Sequence, residues 1–163
     1  MRFLRVIVAV LTALLAVMVF APAASAAEST IQIRGLEYGV STTEGKFGGT
    51  ARGALSGGWL ATVVHEPLRK GKAVPVTGGS FTLRGRGPDL GGTFVRGTVK
   101  PLDASSTCEN ERFDVTGTLA LRGGGTGSFA VVLTHLRVRT GSGCRPYGAV
   151  VAGTLKVPSG ALA

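Results

Sequence analysis

The sequence predicts an all-β protein, a single closed or nearly closed antiparallel barrel of about seven or eight strands with one disulfide. After residue 27, short runs alternate apolar and polar side chains, and no run sustains a helical period. All 26 glycines lie beyond the first 26 residues, and Gly-rich segments separate the runs as turns. Glycines within strands allow tight coiling, and closure removes exposed sheet edges, so a barrel is favoured over a sandwich.

The first 26 residues are typical of a secretory signal peptide. Arg2 and Arg5 precede an apolar run from Val6 to Phe20, and Ala24-Ser25-Ala26 is a small-residue cleavage site. We expect cleavage after Ala26, which leaves residues 27–163 as one secreted barrel domain. We expect no transmembrane segment after cleavage.

The first predicted strand runs from Thr30 to Tyr38, with Ile31 and Ile33 facing inward together with Leu36 or Tyr38. A polar connection, 39–45, follows it.

The stretch from Lys46 to His65 allows two structures. Its apolar residues share one parity, which favours a single long strand bent at its glycines. The alternative is a hairpin that turns at Gly57-Gly58. The residues of common parity are Phe47, Ala51, Leu55, Trp59, Ala61 and Val63.

The second half predicts five further strands. A basic loop, Pro67 to Gly79, precedes them, and a turn, Gly141 to Tyr147, precedes the last. The predicted strands are Ser80–Arg84, Thr93–Lys100, Phe113–Arg122, Ser128–Thr140 and Gly148–Val157.

The only two cysteines flank the central hairpin. Cys108 and Cys144 are equally distant from Thr126, within the Gly-rich turn, so a hairpin centred there places them side by side. Cysteines of an exported chain are usually paired. Closing this loop should stabilise the fold by about 3 to 4 kcal/mol in the chain-entropy model.

The same register makes His135 and Arg137 candidates for a ligand pocket. If partner positions sum to 252, His135 lies opposite Gly117 and Arg137 opposite Val115, on the face that holds the odd-numbered side chains. An interior odd face would then aim two polar groups at a space that glycine leaves open. The alternatives are an even-numbered core, a bulge that shifts the phase, or a buried histidine that is merely hydrogen-bonded.

Trp59 is a further candidate for the wall of a ligand cavity, although a lone strand tryptophan is more often core. His65 and Glu66 end the long strand and would approach His135 only at a barrel mouth. We expect no metal site and no cofactor, because the chain lacks a nucleophile elbow, a phosphate loop and a zinc-binding helix motif.

Acidic residues cluster beside Cys108. Glu109, Glu111 and Asp114 are expected to face Arg137 and nearby arginines across the hairpin base, as surface ion pairs.

The charge balance is strongly basic. Lys and Arg total 18 against 9 acidic residues, and removal of Arg2 and Arg5 still leaves a net charge of about +7. Arg69, Lys70 and Lys72 form the only local cluster and are the candidates for binding an anionic cell-envelope polymer. A solubilising surface is the alternative interpretation. Nucleic acid is a poor fit, because no aromatic-rich motif accompanies the charges.

Three segments carry a resemblance to a known fold family. Phe47-Gly48-Gly49-Thr50-Ala51-Arg52-Gly53, then Val115 to Leu119, then Gly127 to Val131 resemble small bacterial proteins with an allene-oxide-cyclase-like barrel. The resemblance implies a barrel of about eight strands. It implies no activity, because fold does not determine function.

The leading hypothesis is therefore a secreted, non-enzymatic barrel that binds a small apolar ligand inside or an anionic cell-envelope surface outside. One alternative is an isomerase or cyclase that uses His135 and Arg137. Another is an extracellular interaction or inhibitor protein that uses the loop around Arg69 and Lys70.

Overall fold

The computed structural model describes residues 27–102, 110–141 and 143–163. The predicted signal peptide and Cys108 lie outside these residues. Eight antiparallel strands pair in chain order and β8 pairs with β1, so the predicted closed barrel is confirmed. A short 3-10 helix, Ser159–Leu162, follows the last strand. The strands are β1 Glu28–Val40, β2 Glu44–Gly53, β3 Gly57–His65, β4 Val74–Gly85, β5 Leu90–Pro101, β6 Glu111–Leu121, β7 Thr126–Thr140 and β8 Gly143–Pro158.

Odd-numbered side chains face the barrel interior along β1, β2, β3, β6, β7 and most of β8. Phe113, Val115 and Leu119 of β6 are buried, whereas their even-numbered neighbours are half-buried or, at Arg112, exposed. Single-residue irregularities in β4 and β5 shift the inward parity, so that Val76 and Val99 also reach the core. Among the described residues, the buried set is wholly hydrophobic.

The stretch from Lys46 to His65 is a hairpin, so the favoured single strand is wrong. β2 ends at Gly53, whose φ of +112° suits glycine, and residues 54–56 form the turn. Partner positions in this hairpin, such as Ala51 and Gly57, sum to an even number. Both arms therefore keep the same inward parity, and the sequence pattern passes through the turn unbroken.

The central hairpin turns three residues earlier than predicted. Val115 pairs with Val131 and Glu111 with His135, so partner positions sum to 246 and not to 252. Gly123, Gly124 and Gly125 all have positive φ and form the tight turn, which leaves Thr126 in β7. The sum is still even, so both strands of the hairpin present the same parity to one face. Burial of Val115, Leu119 and Leu133 shows that the odd-numbered face is interior, and the alternative of an even-numbered core is excluded.

Two predicted connections are shorter than expected. β4 begins at Val74, within the predicted basic loop, and β8 begins at Gly143, within the predicted turn. Cys144 consequently lies in β8 opposite Arg139. The symmetry that motivated the disulfide does not hold, and the pairing of Cys144 with Cys108 stays a prediction.

β7 and β8 extend beyond the neighbouring strands. They remain paired from Leu136 and Gly148 outward to Thr140 and Gly143, whereas β1 pairs with β8 only as far as Ala149. We call residues 136–148 the β7–β8 ribbon. The ribbon projects from one end of the barrel.

The two ends of the barrel differ. The closed end carries the connections 54–56, 86–89 and 122–125, and the 3-10 helix packs Ala161 and Leu162 against the core there. The Ser159 amide donates to the Ala27 carbonyl at 2.7 Å and fixes this helix to the start of the barrel. The open end carries the other connections, including residues 66–73 and the β7–β8 ribbon.

Candidate functional site

A cavity of about 100 Å3 lies inside the barrel and reaches toward the open end. Its polar side chains are Glu37, Ser41, His65 and His135. Apolar side chains form the rest of the wall, among them Phe47, Trp59, Val63, Phe81, Phe94, Val99, Val115, Phe129, Val131 and Leu133.

Glu37 and His135 meet across a small residue of β8. Glu37 of β1 and His135 of β7 both pair with Ala149, one from each side. The methyl group of Ala149 leaves room between them, and His135 Nε2 lies 3.8 Å from Glu37 Oε2. The two side chains are only 17% and 9% exposed, so this polar pair is largely withdrawn from water.

Burial opposes charge on both members of the pair. Burial raises the pKa of Glu37 above its ordinary value of 4.5. Burial also lowers the pKa of His135 below its ordinary value of 6.5; nearby Glu111 opposes this effect, while Arg137 and His65 add to it. Both shifts therefore act against charge on the pair in the folded protein. A carboxyl group accepts hydrogen bonds and a neutral imidazole both donates and accepts them, so the pair can contact either kind of group.

Two further contacts orient the histidines. The rings of His135 and Phe113 pack edge to face at 5.1 Å. His65 Nδ1 donates to the Glu66 carbonyl at 2.7 Å, which leaves Nε2 as the acceptor of the neutral ring. Both His65 and His135 line the cavity, so the two histidines meet at the open end of the barrel. In the part of the chain that the structure describes, no group of three His, Cys, Asp or Glu side chains could hold a metal ion.

Trp59 is both core and cavity wall. Its Nε1 donates to the carbonyls of Arg34 and Thr50, each at 3.1 Å, so the ring is held in place. The ring also packs over Gly35, where an added Cβ would lie 2.7 Å from it. The two readings of this tryptophan, core and ligand wall, are thus compatible.

Arg137 does not line the cavity, contrary to the sequence prediction. Arg137 lies beyond Glu111 and His135, the last residue pair between β6 and β7, and is not part of the cavity wall. The Arg137 guanidinium donates instead to Glu111 Oε2 at 2.6 Å, which confirms an ion pair between the acidic cluster and an arginine. The Arg137 amide also donates to Asn110 Oδ1 at 3.3 Å.

The space expected beside His135 is also misplaced. Gly117 pairs with Phe129, and a Cβ added to Gly117 would lie 2.7 Å from the Phe129 ring. That glycine admits an aromatic ring to the core and does not open a pocket. The residue opposite His135 on β6 is Glu111.

The basic cluster lies at the same end as the cavity. Arg69, Lys70 and Lys72 are exposed in the connection 66–73, where a turn at Gly71 bridges Arg69 to Lys72. Leu68 of the same connection contributes to the cavity wall. The interior and surface candidates, which the sequence offered as separate sites, share one end of the barrel.

Glu37 is the functional candidate that sequence reasoning missed. We expected Leu36 or Tyr38 to continue the inward face of β1, but these side chains are 60% and 62% exposed. Strict alternation from Ile31 and Ile33 leads inward to Glu37. The alternation of side chains along β1 would have identified Glu37 as inward-facing. The hydrophobicity of Leu36 and Tyr38 wrongly suggested that one of them faces the interior.

No family model, curated protein or solved structure matches the chain. The resemblance to allene-oxide-cyclase-like proteins therefore extends only to the eight-stranded barrel. Among the described residues, no helix is both long and apolar enough to span a membrane.

Proposed function

We propose that the barrel binds a small apolar molecule that carries one neutral hydrogen-bonding group. The observation that carries this proposal is the apolar cavity with Glu37 and His135 at its open-end side. Ligand sites commonly combine apolar walls with a few converging polar groups.

The size of the cavity limits the ligand. An apolar cavity of about 150 Å3 accommodates benzene in a well-studied case. The space here is about 100 Å3, so a short alkyl chain or a compact ring fits better than a large polycyclic molecule. Access from the open end allows a longer molecule to leave its remainder outside.

The polar pair selects a neutral head group. An alcohol can exchange hydrogen bonds with the Glu37 carboxyl group and the His135 ring, and a carbonyl oxygen can accept one from the ring N–H. A charged head group would have to lose its hydration beside two groups that themselves resist charge, which is costly in a largely dry site.

Trp59 provides the direct test, because it is the only tryptophan of the chain and lines the cavity. We expect 1-hexanol to change Trp59 fluorescence saturably. Val63→Phe should abolish the response, because Val63 lies in the cavity wall and the larger ring would take up cavity space. Val64→Phe is the matched control on the outer face. An unsaturable response, or equal responses in both variants, would contradict the proposal.

The head-group interaction has its own variant. His135→Leu replaces the imidazole with an apolar side chain of similar size. It should weaken 1-hexanol binding about 2- to 10-fold, because one hydrogen bond to the ligand is lost. If 1-hexanol binds this variant as strongly as it binds the unmodified protein, His135 does not bond to the head group and only the apolar walls hold the ligand.

The acid and imidazole also favour a second candidate, an isomerase that moves a proton within a bound ketone. Such an enzyme would use Glu37 with His135, because Arg137 is held by Glu111. Deuterium uptake at the α-carbon of cyclohexanone in D2O, lost in Glu37→Gln, would support catalysis. Exchange at the buffer rate supports binding alone.

A further inference from the structure

Exposed apolar side chains lie on the outer wall of the barrel, as Leu60 and Val95 do, and also around the open end. Tyr147 and Val138 of the β7–β8 ribbon are 67% and 45% exposed, and Leu68 and Leu102 of two other open-end segments are 40% and 44% exposed. Within the described residues, the closed-end connections contribute none of the large exposed hydrophobics. The only leucine in those connections, Leu55, is buried.

Basic side chains flank these apolar groups on opposite sides of the mouth. The connection 66–73 joins β3 to β4 and carries Arg69, Lys70 and Lys72. The β7–β8 ribbon stands four strands further around the eight-strand ring and carries the exposed Arg139 and Arg145. The basic residues of the connection 66–73 and those of the β7–β8 ribbon therefore lie on opposite sides of the barrel opening.

We propose that the open end docks on a bilayer that contains anionic phospholipids. Lys and Arg near such a surface are attracted to the headgroups, while Leu, Val and Tyr enter the interface. Tyrosine is enriched at membrane interfaces because its ring is apolar and its hydroxyl is polar. A soluble polyanion would use the basic residues alone and would leave Leu68, Val138 and Tyr147 without a role.

Docking in this orientation would turn the cavity mouth toward the lipid. The docking proposal stands on the rim residues and does not require that the cavity bind a ligand. The closed end is basic as well, with Arg52, Arg86 and Lys156 exposed, but it lacks the apolar partners. The closed end is therefore a charge-matched control within the same molecule.

Vesicle sedimentation at low salt tests the proposal with 30% phosphatidylglycerol in phosphatidylcholine against phosphatidylcholine alone. We expect binding only to the anionic vesicles. The triple variant R69Q/K70Q/K72Q should weaken it about 100-fold, since each basic residue near the surface contributes about fivefold. The control R52Q/R86Q/K156Q removes the same charge from the closed end and should change binding by less than about threefold. Equal losses in the two triples would overturn the proposal.

The apolar contribution is tested separately. Val138→Ser with Tyr147→Ser should weaken vesicle binding about tenfold, and Leu60→Ser, at a site that is 57% exposed on the barrel wall, should leave it unchanged. If the double variant binds like the unmodified protein, or if all variants bind soluble polyglutamate as tightly as vesicles, the partner is a polyanion and the proposal fails. Circular dichroism of each variant confirms the fold, and 1-hexanol binding reports on the cavity independently.

Discussion

The two ends of the barrel use the same eight strands but different side-chain sizes. Toward the closed end, Ile31, Leu83, Leu119 and Val157 are at most 1% exposed and fill the interior. Toward the open end, interior side chains such as Val63 and Leu133 border the cavity, and the small residue Ala149 separates Glu37 from His135. The cavity therefore depends on the interior side chains at the open end, because both ends belong to the same eight-stranded barrel.

The largest expected effect comes from the same truncation made at each end. Leu119→Ala should destabilise the protein by about 3 to 5 kcal/mol, because Leu119 is fully buried and its loss leaves a new cavity. Leu133→Ala should cost about 2 to 3 kcal/mol, because Leu133 already borders open space and loses fewer contacts.

Urea unfolding of both leucine variants measures the difference. Equal costs at the two positions would mean that the open end is packed as tightly as the closed end.

The next effect concerns the predicted disulfide at the open end. Cys108→Ser, Cys144→Ser and the double variant should each cost about 3 to 4 kcal/mol, because any of them removes the same loop closure. Additive costs, or none, would show that the two cysteines are not bonded to each other. Non-reducing peptide mapping provides the direct check.

The smallest effect is the pH dependence of stability at Glu37. Its raised pKa in the folded state means that its stabilising contribution is present below pH 4.5 and is lost as the pH rises through the folded-state value. Glu37→Gln should therefore be more stable than the unmodified protein at pH 8, and the gain should vanish near pH 4.

Thermal melts of Glu37→Gln, with the exposed Glu66→Gln as control, measure this gain. His135 remains in both proteins, so its own opposite pH dependence cancels in the comparison. A variant that is less stable at pH 8 would show that Glu37 is charged and usefully paired in the fold.

Period-two alternation made the barrel predictable, because interior and exterior side chains must alternate along every strand. It predicted that β6 and β7 share one face of odd-numbered side chains, although it left open which face is interior and placed the hairpin register wrongly. The register of a hairpin depends on which of its glycines take positive φ in the turn. Three consecutive glycines precede Thr126, and the sequence alone does not show at which of them the chain turns.

The candidate site was less predictable than the fold. His135 and Trp59 were placed at the cavity from parity, but the approach of Glu37 requires knowing that β8 lies between β1 and β7. Arg137 was misassigned because the sequence does not show that β6 stops pairing with β7 at His135, or that Glu111 binds Arg137 there. Contacts between distant strands were thus the missing information.

The most direct test of the difference between the ends is a methyl NMR titration with 1-hexanol. If the ligand enters the cavity, we expect saturable chemical-shift changes for the methyl groups of Val63, Val131 and Leu133, which line it. We expect no shift changes for the methyl groups of Leu83, Leu119 and Val157, which fill the closed end. Absent shifts, or shifts of equal size at both ends, would contradict this expectation.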